Sequence, residues 1–313
     1  MDDTNPTNRF DSFHVYRTSY KNIGPHAIDV GILVPKDLKP GSHPLLVKFH
    51  GGGLVTGDCL YPDWIGAFFV PFIHRTNCIT VLPNYRLIPE HTGADILSDL
   101  DNFWAWFHSD AFPLFLKSQG ITAELDYNHV LVSGDSAGGY MTLMSGLTQP
   151  KGSIKALLAQ YPMTDSLRRK PMDELYGQPS PPPTLVDEHI SSITPDVVLS
   201  SATPPARMNI SYALSVYGRY LEFFGNEKDM WPLYLIEKKD YLPPTWIVHG
   251  DADTAVSIED SKAFVEKARR LDRVEVQLVV RPGQEHGFDI SVKENKEAWL
   301  KQGLQWVEKK WLS

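Results

Sequence analysis

The sequence predicts an α/β fold with a mostly parallel central sheet that is covered by helices on both faces. Short apolar runs alternate with amphipathic segments in both halves of the chain. Continuous apolar runs are typical of strands that are buried on both faces, and amphipathic segments are typical of the helices that cover them. The alternation is lost between about Met163 and Pro244, where prolines and aromatic residues accumulate. We therefore expect a core formed by residues 1–162 and 245–313 and an inserted lid over 163–244. A separate packing subdomain is the alternative interpretation of that insert.

The first half of the chain contains the clearest strand and helix patterns. The predicted strands are FHVYRTSY, IDVGILVP, HPLLVKFH, NCITVLPNY, HVLVSGD and IKALLAQYP. ADILSDLDNFWAWF has apolar residues at helical spacing, and AGGYMTLMSGL follows a strand and a glycine turn. These patterns predict two helices that pack on the sheet.

The pattern resumes after the insert. TWIVHG and VEVQLVV read as strands, and SIEDSKAFVEKARRL and KENKEAWLKQGLQWVEKKWL read as helices. Within the insert, Leu214, Tyr217, Leu221 and Phe224 share one face of a predicted helix. We expect that helix to belong to the lid.

Composition excludes several classes of protein. The 313 residues are 42% hydrophobic and carry a net charge of −8, and no basic stretch is available to neutralise phosphates, which argues against nucleic acid and anionic membranes. Cys59 and Cys78 lack metal-ligand spacing, and no run of about 18 apolar residues predicts a membrane span. The polar N-terminus has no signal-peptide pattern. We expect a cytoplasmic monomer or homodimer without a cofactor or a metal.

The segment Gly134–Gly138 (GDSAG) has the pattern G-x-S-x-G between an apolar strand and a helix. That context indicates a tight turn that holds the Ser136 hydroxyl at the helix N-terminus. The amide of Ala137 then faces the same space and favours negative charge. An ordinary strand-to-helix turn with a capping serine is the alternative.

A nucleophilic serine needs a base and an orienting acid. Downstream of Ser136 the candidate bases are His189, in the predicted lid, His249, at a strand end, and His286. His286 lies in the glycine-flanked loop RPGQEHGFD between the last strand and the last helix, where an imidazole can reach the carboxyl edge of the sheet. We therefore predict that His286 is the base.

The acid is expected after the preceding strand, in TWIVHGDADTAV. Asp253 lies deeper in this loop and is favoured, whereas Asp251, tight against the strand end, is better suited to a turn. Asp251 remains the second candidate.

The stretch FHGGGLVTGD after the third strand could cradle a phosphate or an oxyanion. Gly52 and Gly57 have the spacing of a P-loop, but Asp58 replaces the lysine and would repel phosphate. Thr56 also stands where a dinucleotide-binding loop has its third glycine. A phosphate site is therefore not predicted.

Five motifs in this order resemble the hormone-sensitive-lipase branch of the α/β-hydrolases, which includes many esterases. They are HGGGLVTG, NYRLIPEH, GDSAGG, HGDADTAV and EHGF, and the resemblance spans about residues 43–310. It implies an α/β-hydrolase fold with a lid and a catalytic triad of Ser136, Asp253 and His286. It further implies an oxyanion hole formed by the amides of Gly51 and Gly52 together with Ala137.

The resemblance implies a serine esterase. Because the lid aromatics suggest an apolar pocket and an acidic protein should not attract polyanions, we expect small to medium, uncharged carboxylic esters as substrates. Trp64 and Phe68, after the glycine loop, and the lid aromatics Tyr217 and Phe224 are candidates for the substrate pocket. Strand-like sequence begins near residue 12, so we expect the N-terminal helical cap of the family to be missing. Asp253-Thr254-Ala255 also stands where the family commonly has D-P-L. Lactone-forming, lactone-opening or acyl-transfer chemistry is the main alternative. An amidase and a non-catalytic small-molecule receptor are further ones, although such receptors typically replace the histidine that is present here.

Overall fold

The computed structural model describes residues 4–313 and is built around one large sheet. Its strands are β1 (Phe13–Ile23), β2 (His26–Pro35), β3 (Ser42–Phe49), β4 (Ile79–Pro83), β5 (Glu124–Asp135), β6 (Ala156–Gln160), β9 (Thr245–Gly250) and β10 (Val276–Arg281). The spatial order is β1-β2-β4-β3-β5-β6-β9-β10. β2 pairs antiparallel with both β1 and β4. The remaining pairs are parallel, so six neighbouring strands run in one direction: β4, β3, β5, β6, β9 and β10. The predicted α/β class with a mostly parallel sheet is confirmed.

Helices cover both faces of this sheet. They are α1 (Phe69–Thr76), α2 (Gly93–Phe107), α3 (Ala111–Ser118), α4 (Ala137–Thr148), α9 (Ile258–Ala268) and α10 (Ala298–Trp311). Apolar residues of α2, α3, α4 and α9 belong to one core layer, and those of α1 and α10 belong to the opposite layer. In β5, Val130 and Val132 enter the first layer while Leu131 enters the second, as the alternation of side chains along a strand requires.

The segment 163–244 contains only short elements. They are the two-residue strands β7 (Glu174–Leu175) and β8 (Gln178–Pro179) and the helices α5 (Leu185–Ser192), α6 (Met208–Val216), α7 (Tyr220–Phe224) and α8 (Pro232–Leu235). The predicted single helix is wrong, because Gly218 adopts φ +66° between α6 and α7. Leu214 and Phe224 are buried nonetheless.

This segment packs on the loops at the carboxyl edge of the parallel strands. Gly57 and Ala202 exchange two backbone hydrogen bonds of 2.8 Å, and the amide of Leu87 donates to Leu199 O at 2.9 Å. Arg207 donates to Val55 O and forms an ion pair of 2.6 Å with Glu90. The insert is thereby attached to the glycine loop that follows β3.

Among residues 4–313, no helix combines the length and the apolar character that crossing a membrane requires.

Candidate active site

Ser136 lies at the turn between β5 and α4, in a backbone conformation that side-chain-bearing residues rarely adopt. Its φ of +55° and ψ of −115° define a strained elbow at the first turn of the helix. A Cβ on Gly134 would overlap the carbonyl oxygen of Gly138, and one on Gly138 would overlap that of Phe49. The two flanking glycines are therefore required by close backbone approach, as the pattern G-x-S-x-G predicts.

His286 lies in the loop after β10, and its imidazole contacts a carboxylate from the loop after β9. Nδ1 of His286 is 2.7 Å from Oδ2 of Asp253. Asp251 instead accepts a hydrogen bond from the amide of Gly283 at 2.6 Å. Of the two candidate acids, Asp253 is thus the one that orients the imidazole, and Asp251 supports a turn.

The Asp253 carboxylate is fully buried and heavily hydrogen-bonded. Its Oδ1 accepts from the amides of Ala255 and Val256 at 2.9 and 2.7 Å, and His249 Nε2 is 3.2 Å from Oδ2. Burial alone would raise the pKa of Asp253, but the contacts with His249 and His286 hold it well below its usual range. Asp253 is therefore an anion that can stabilise a cationic His286.

Glu285 links the two loops that carry Asp253 and His286. Its carboxylate accepts from the amide and hydroxyl of Thr254 at 2.7 and 2.8 Å and from the amide of His286 at 2.7 Å. The sequence singles out no such role for Glu285, because its partners come from a loop about thirty residues away.

The glycine loop after β3 approaches Ser136 from the other side. Gly52 and Gly53 line the same cavity as Ser136 and have φ of +96° and +64°. Within the described residues, their amides donate no hydrogen bond to another residue. Gly51, also predicted for the oxyanion hole, is not among the residues that line the cavity, and a Cβ on it would overlap the carboxylate of Asp135. Ala137 is buried as the first residue of α4, where a helix leaves its amides unpaired.

Two buried polar groups fix this loop and the elbow. His50 Nδ1 donates to Gly51 O at 2.8 Å, and its ring stacks on Tyr85 at 4.4 Å. Burial lowers the pKa of His50, so the ring is neutral. Lys48 of β3 forms an ion pair of 2.7 Å with Asp135, the residue before Ser136. This ion pair joins β3 to the turn that carries Ser136.

The cavity between the sheet edge and the segment 163–244 has a volume of about 460 Å³. Ser136 and His286 line it together, with Trp64 and the tyrosines 161, 176, 212 and 220. Its apolar wall is formed by Met163, Leu175, Met208, Val256 and Ile290. Such a volume suits a small molecule with an apolar part.

Of the four aromatic residues predicted to contact substrate, only Trp64 lines this cavity. Phe68 is turned into the opposite core layer, where it stacks on Phe69 at 4.4 Å. Phe224 packs on Trp231 at 4.5 Å, and the hydroxyl of Tyr217 donates to Pro181 O. These three predictions fail because each ring completes local packing within its own part of the chain.

The charged residues Arg86 and Glu90 of the motif NYRLIPEH pair with other parts of the chain and not with each other. Arg86 pairs with Asp95 and Asp99 of α2, and Glu90 pairs with Arg207.

No group of three or more His, Cys, Asp or Glu side chains within residues 4–313 is arranged to hold a metal ion.

The strand order, the elbow at Ser136 and the His286–Asp253 pair define a hydrolase-type α/β protein. The chain belongs to the alpha/beta hydrolase fold family, whose match covers residues 46–290. This agrees with the resemblance to its hormone-sensitive-lipase branch.

Several relatives are esterases. The chain is 29% identical over 315 residues to probable carboxylesterase M8 of Phoma sp., covering 97% of this chain and 98% of that protein. It is 30% identical over 190 residues to probable carboxylesterase clz11 of Cochliobolus lunatus, covering 58% and 87%. Carboxyl esterase 2 of Tuber melanosporum matches in fold, with a TM-score of 0.60, 18% identity and coverage of 96% and 86%. Family and relatives together class the chain as a carboxylic ester hydrolase.

Proposed function

We propose that the chain hydrolyses small to medium carboxylic esters through an acyl-enzyme on Ser136. The observation that carries this proposal is the 2.7 Å contact between His286 and Asp253, because His286 lines one cavity with Ser136, Gly52 and Gly53. An imidazole oriented by a buried carboxylate is the arrangement that activates a serine hydroxyl.

In the first half-reaction, Ser136 Oγ attacks the ester carbonyl and its proton passes to His286. The tetrahedral intermediate collapses when the C–O bond to the alcohol breaks and the imidazolium returns that proton to the leaving oxygen. Water then attacks the acyl-enzyme by the same route, releasing the carboxylic acid and restoring Ser136. Asp253 keeps the imidazole tautomer and stabilises its cation.

The oxyanion of each intermediate is stabilised by backbone amides. Gly52 and Gly53 are better placed for this than Gly51, and Ala137 supplies the amide at the helix N-terminus. One such donor typically contributes a factor of about 10²–10³ to turnover.

We further propose that 163–244 acts as the lid over a core of 1–162 and 245–313, which the packing of Ala202 and Arg207 on the glycine loop supports.

The test is release of p-nitrophenol from p-nitrophenyl acetate through octanoate by the wild type and by Ser136→Ala. We expect the variant to lose a factor on the order of 10⁵–10⁶ in kcat. Ser133→Ala is the matched control, because Ser133 lies on β5 three residues before Ser136 and its buried Oγ lacks a partner within residues 4–313. Substantial turnover by Ser136→Ala, or no turnover by folded wild type on any chain length, would contradict the proposal.

A further inference from the structure

Arg169 carries a guanidinium group that forms no ion pair with a carboxylate among the described residues. It follows the turn after β6 and lines the cavity that contains Ser136. Its Nε and Nη2 atoms are buried and have no hydrogen-bond partner anywhere in the described residues 4–313. Buried nitrogens of a charged group are costly to leave unpaired, so this position calls for an acceptor.

The nearby carboxylates are already engaged by the neighbouring arginine. Arg168 Nε is 2.5 Å from Asp165 Oδ2, and Arg168 Nη2 is 2.7 Å from Asp260 Oδ1. Two adjacent arginines therefore have different surroundings: Arg168 is half exposed and paired, whereas Arg169 faces the cavity without a pair.

The other titratable side chains at the cavity wall have partners within the protein. Asp135 pairs with Lys48 at 2.7 Å, and His286 contacts Asp253. Among the described lining residues, Arg169 is thus the one charged side chain without a hydrogen bond or an ion pair to another residue.

We propose that Arg169 is an anion-binding subsite and that the substrate is an ester bearing a carboxylate group. The inference rests on the proposed ester hydrolysis and names its substrate class. It replaces the expectation of an uncharged ester, which followed from the net charge of the chain rather than from the cavity.

A carboxylate fits this subsite better than a polyanion. The planar guanidinium presents donors in a fork that matches the two oxygens of a carboxylate. One cation neutralises one negative charge, and the acidic protein repels more highly charged groups. The apolar wall of Met163, Leu175 and Ile290 suits the methylene chain between the ester and the acid.

The experiment compares matched charged and neutral esters. Mono-p-nitrophenyl esters of succinic, glutaric, adipic and pimelic acid are assayed beside p-nitrophenyl esters of monocarboxylic acids of the same chain length. For each pair, kcat/KM of the acidic ester is divided by that of the neutral ester. We expect wild type to prefer the acidic ester at one chain length, which would report the span from Ser136 to Arg169.

Substitutions assign the preference to Arg169. Arg169→Gln should lower the ratio by about 10- to 100-fold, the contribution expected from a charge-assisted hydrogen bond. Arg169→Lys should retain part of the ratio, because it keeps the charge but not the fork. The control Arg273→Gln should stay within about twofold of wild type, because Arg273 is exposed and does not line the cavity. Thermal unfolding of each variant checks that it is folded.

The outcomes separate this inference from the proposed function. Hydrolysis of neutral esters with no preference for acidic ones, or an unchanged ratio in Arg169→Gln, would overturn the anion subsite and leave the esterase intact. Should neither ester turn over, calorimetric titration of adipate into Ser136→Ala, with and without Arg169→Gln, decides the matter. Binding weakened at least tenfold by the second substitution supports the subsite, and equal or absent binding overturns it.

Discussion

Asp251 and Asp253 are two residues apart, yet their surroundings give them different chemistry. Asp253 is buried between two imidazoles and two amides, and these contacts overcome the burial that would otherwise raise its pKa. Asp251 is exposed and binds the amide of Gly283. Identity of side chain therefore does not decide function here; the hydrogen-bond partners do.

This contrast predicts unequal effects of the same substitution. Asp253→Asn should lower kcat on p-nitrophenyl esters by about 10³–10⁴-fold, because an amide can hold the wrong imidazole tautomer and cannot balance its positive charge. Asp251→Asn, the matched control, should stay within a few-fold of wild type. Equal losses in both variants, measured after thermal unfolding has verified folding, would exclude Asp253 as the sole orienting acid.

The sequence indicated the site residues that sit in short local motifs, and it failed where tertiary packing decides. Ser136 and His286 could be found because a strained turn and a glycine-flanked loop leave local patterns. The proposed use of Gly52 and Gly53 rather than Gly51 could not, since it depends on where Asp135 meets the loop. Arg169 was missed because only the structure shows that Arg168 pairs with the nearby carboxylates of Asp165 and Asp260 and leaves Arg169 without an ion pair.

At the scale of elements, the attachment of the segment 163–244 depends on Arg207. This residue has a φ of +64° and donates to the carbonyl oxygens of Val55 and Ile88 at 2.7 and 2.8 Å. It also pairs with Glu90, which is nearly buried, and His189 contacts the same carboxylate at 2.9 Å. One side chain thus joins the insert to the glycine loop.

Removing this attachment should loosen the cavity roof. Arg207→Ala should lower the free energy of unfolding by about 3–5 kcal/mol, because it leaves the largely buried Glu90 carboxylate without its ion-pair partner. It should also raise KM. Arg219→Ala is the control from the same segment: its partners Asp187 and Glu222 are exposed, so the loss should be under about 1 kcal/mol. Chemical denaturation measures both, and comparable losses would contradict the account.

The strands of the sheet were predictable, whereas two helices were not. α1 contains Pro71 and α3 contains Pro113, and a proline within a segment argues against a helix there. Both prolines occupy the first turn, where no backbone donor is needed, so the helices tolerate them. The opposite error occurs at Gly218. The apolar residues keep helical spacing across this position and predict one helix, but the backbone turns there and separates α6 from α7.

For the whole molecule, pH should act on stability through Asp260 of α9. Burial raises its pKa to about 6, and the charges of Arg168 and Arg169 only partly oppose this. A carboxyl group whose pKa is higher in the folded state favours folding below its unfolded pKa. That contribution is lost as pH rises from about 4 through about 6.

Asp260→Asn should therefore become more stable relative to wild type as pH rises from 4 to 8. The change in the stability difference should be about 1–3 kcal/mol and should level off above pH 7. Urea unfolding at pH 4, 6 and 8 measures it, with Glu259→Gln, an exposed carboxylate of the same helix, as control. A difference that is constant with pH would show that Asp260 keeps an ordinary pKa.

The most direct test of the central claim, that Ser136 is the nucleophile, is covalent labelling with paraoxon followed by peptide mass spectrometry. The account predicts one diethylphosphoryl group on the peptide containing Ser136, one p-nitrophenol released per chain, and esterase activity lost in proportion to labelling. Ser136→Ala should remain unlabelled, whereas Ser133→Ala should be labelled like wild type. Labelling at another residue, or full activity after stoichiometric labelling of Ser136, would contradict it.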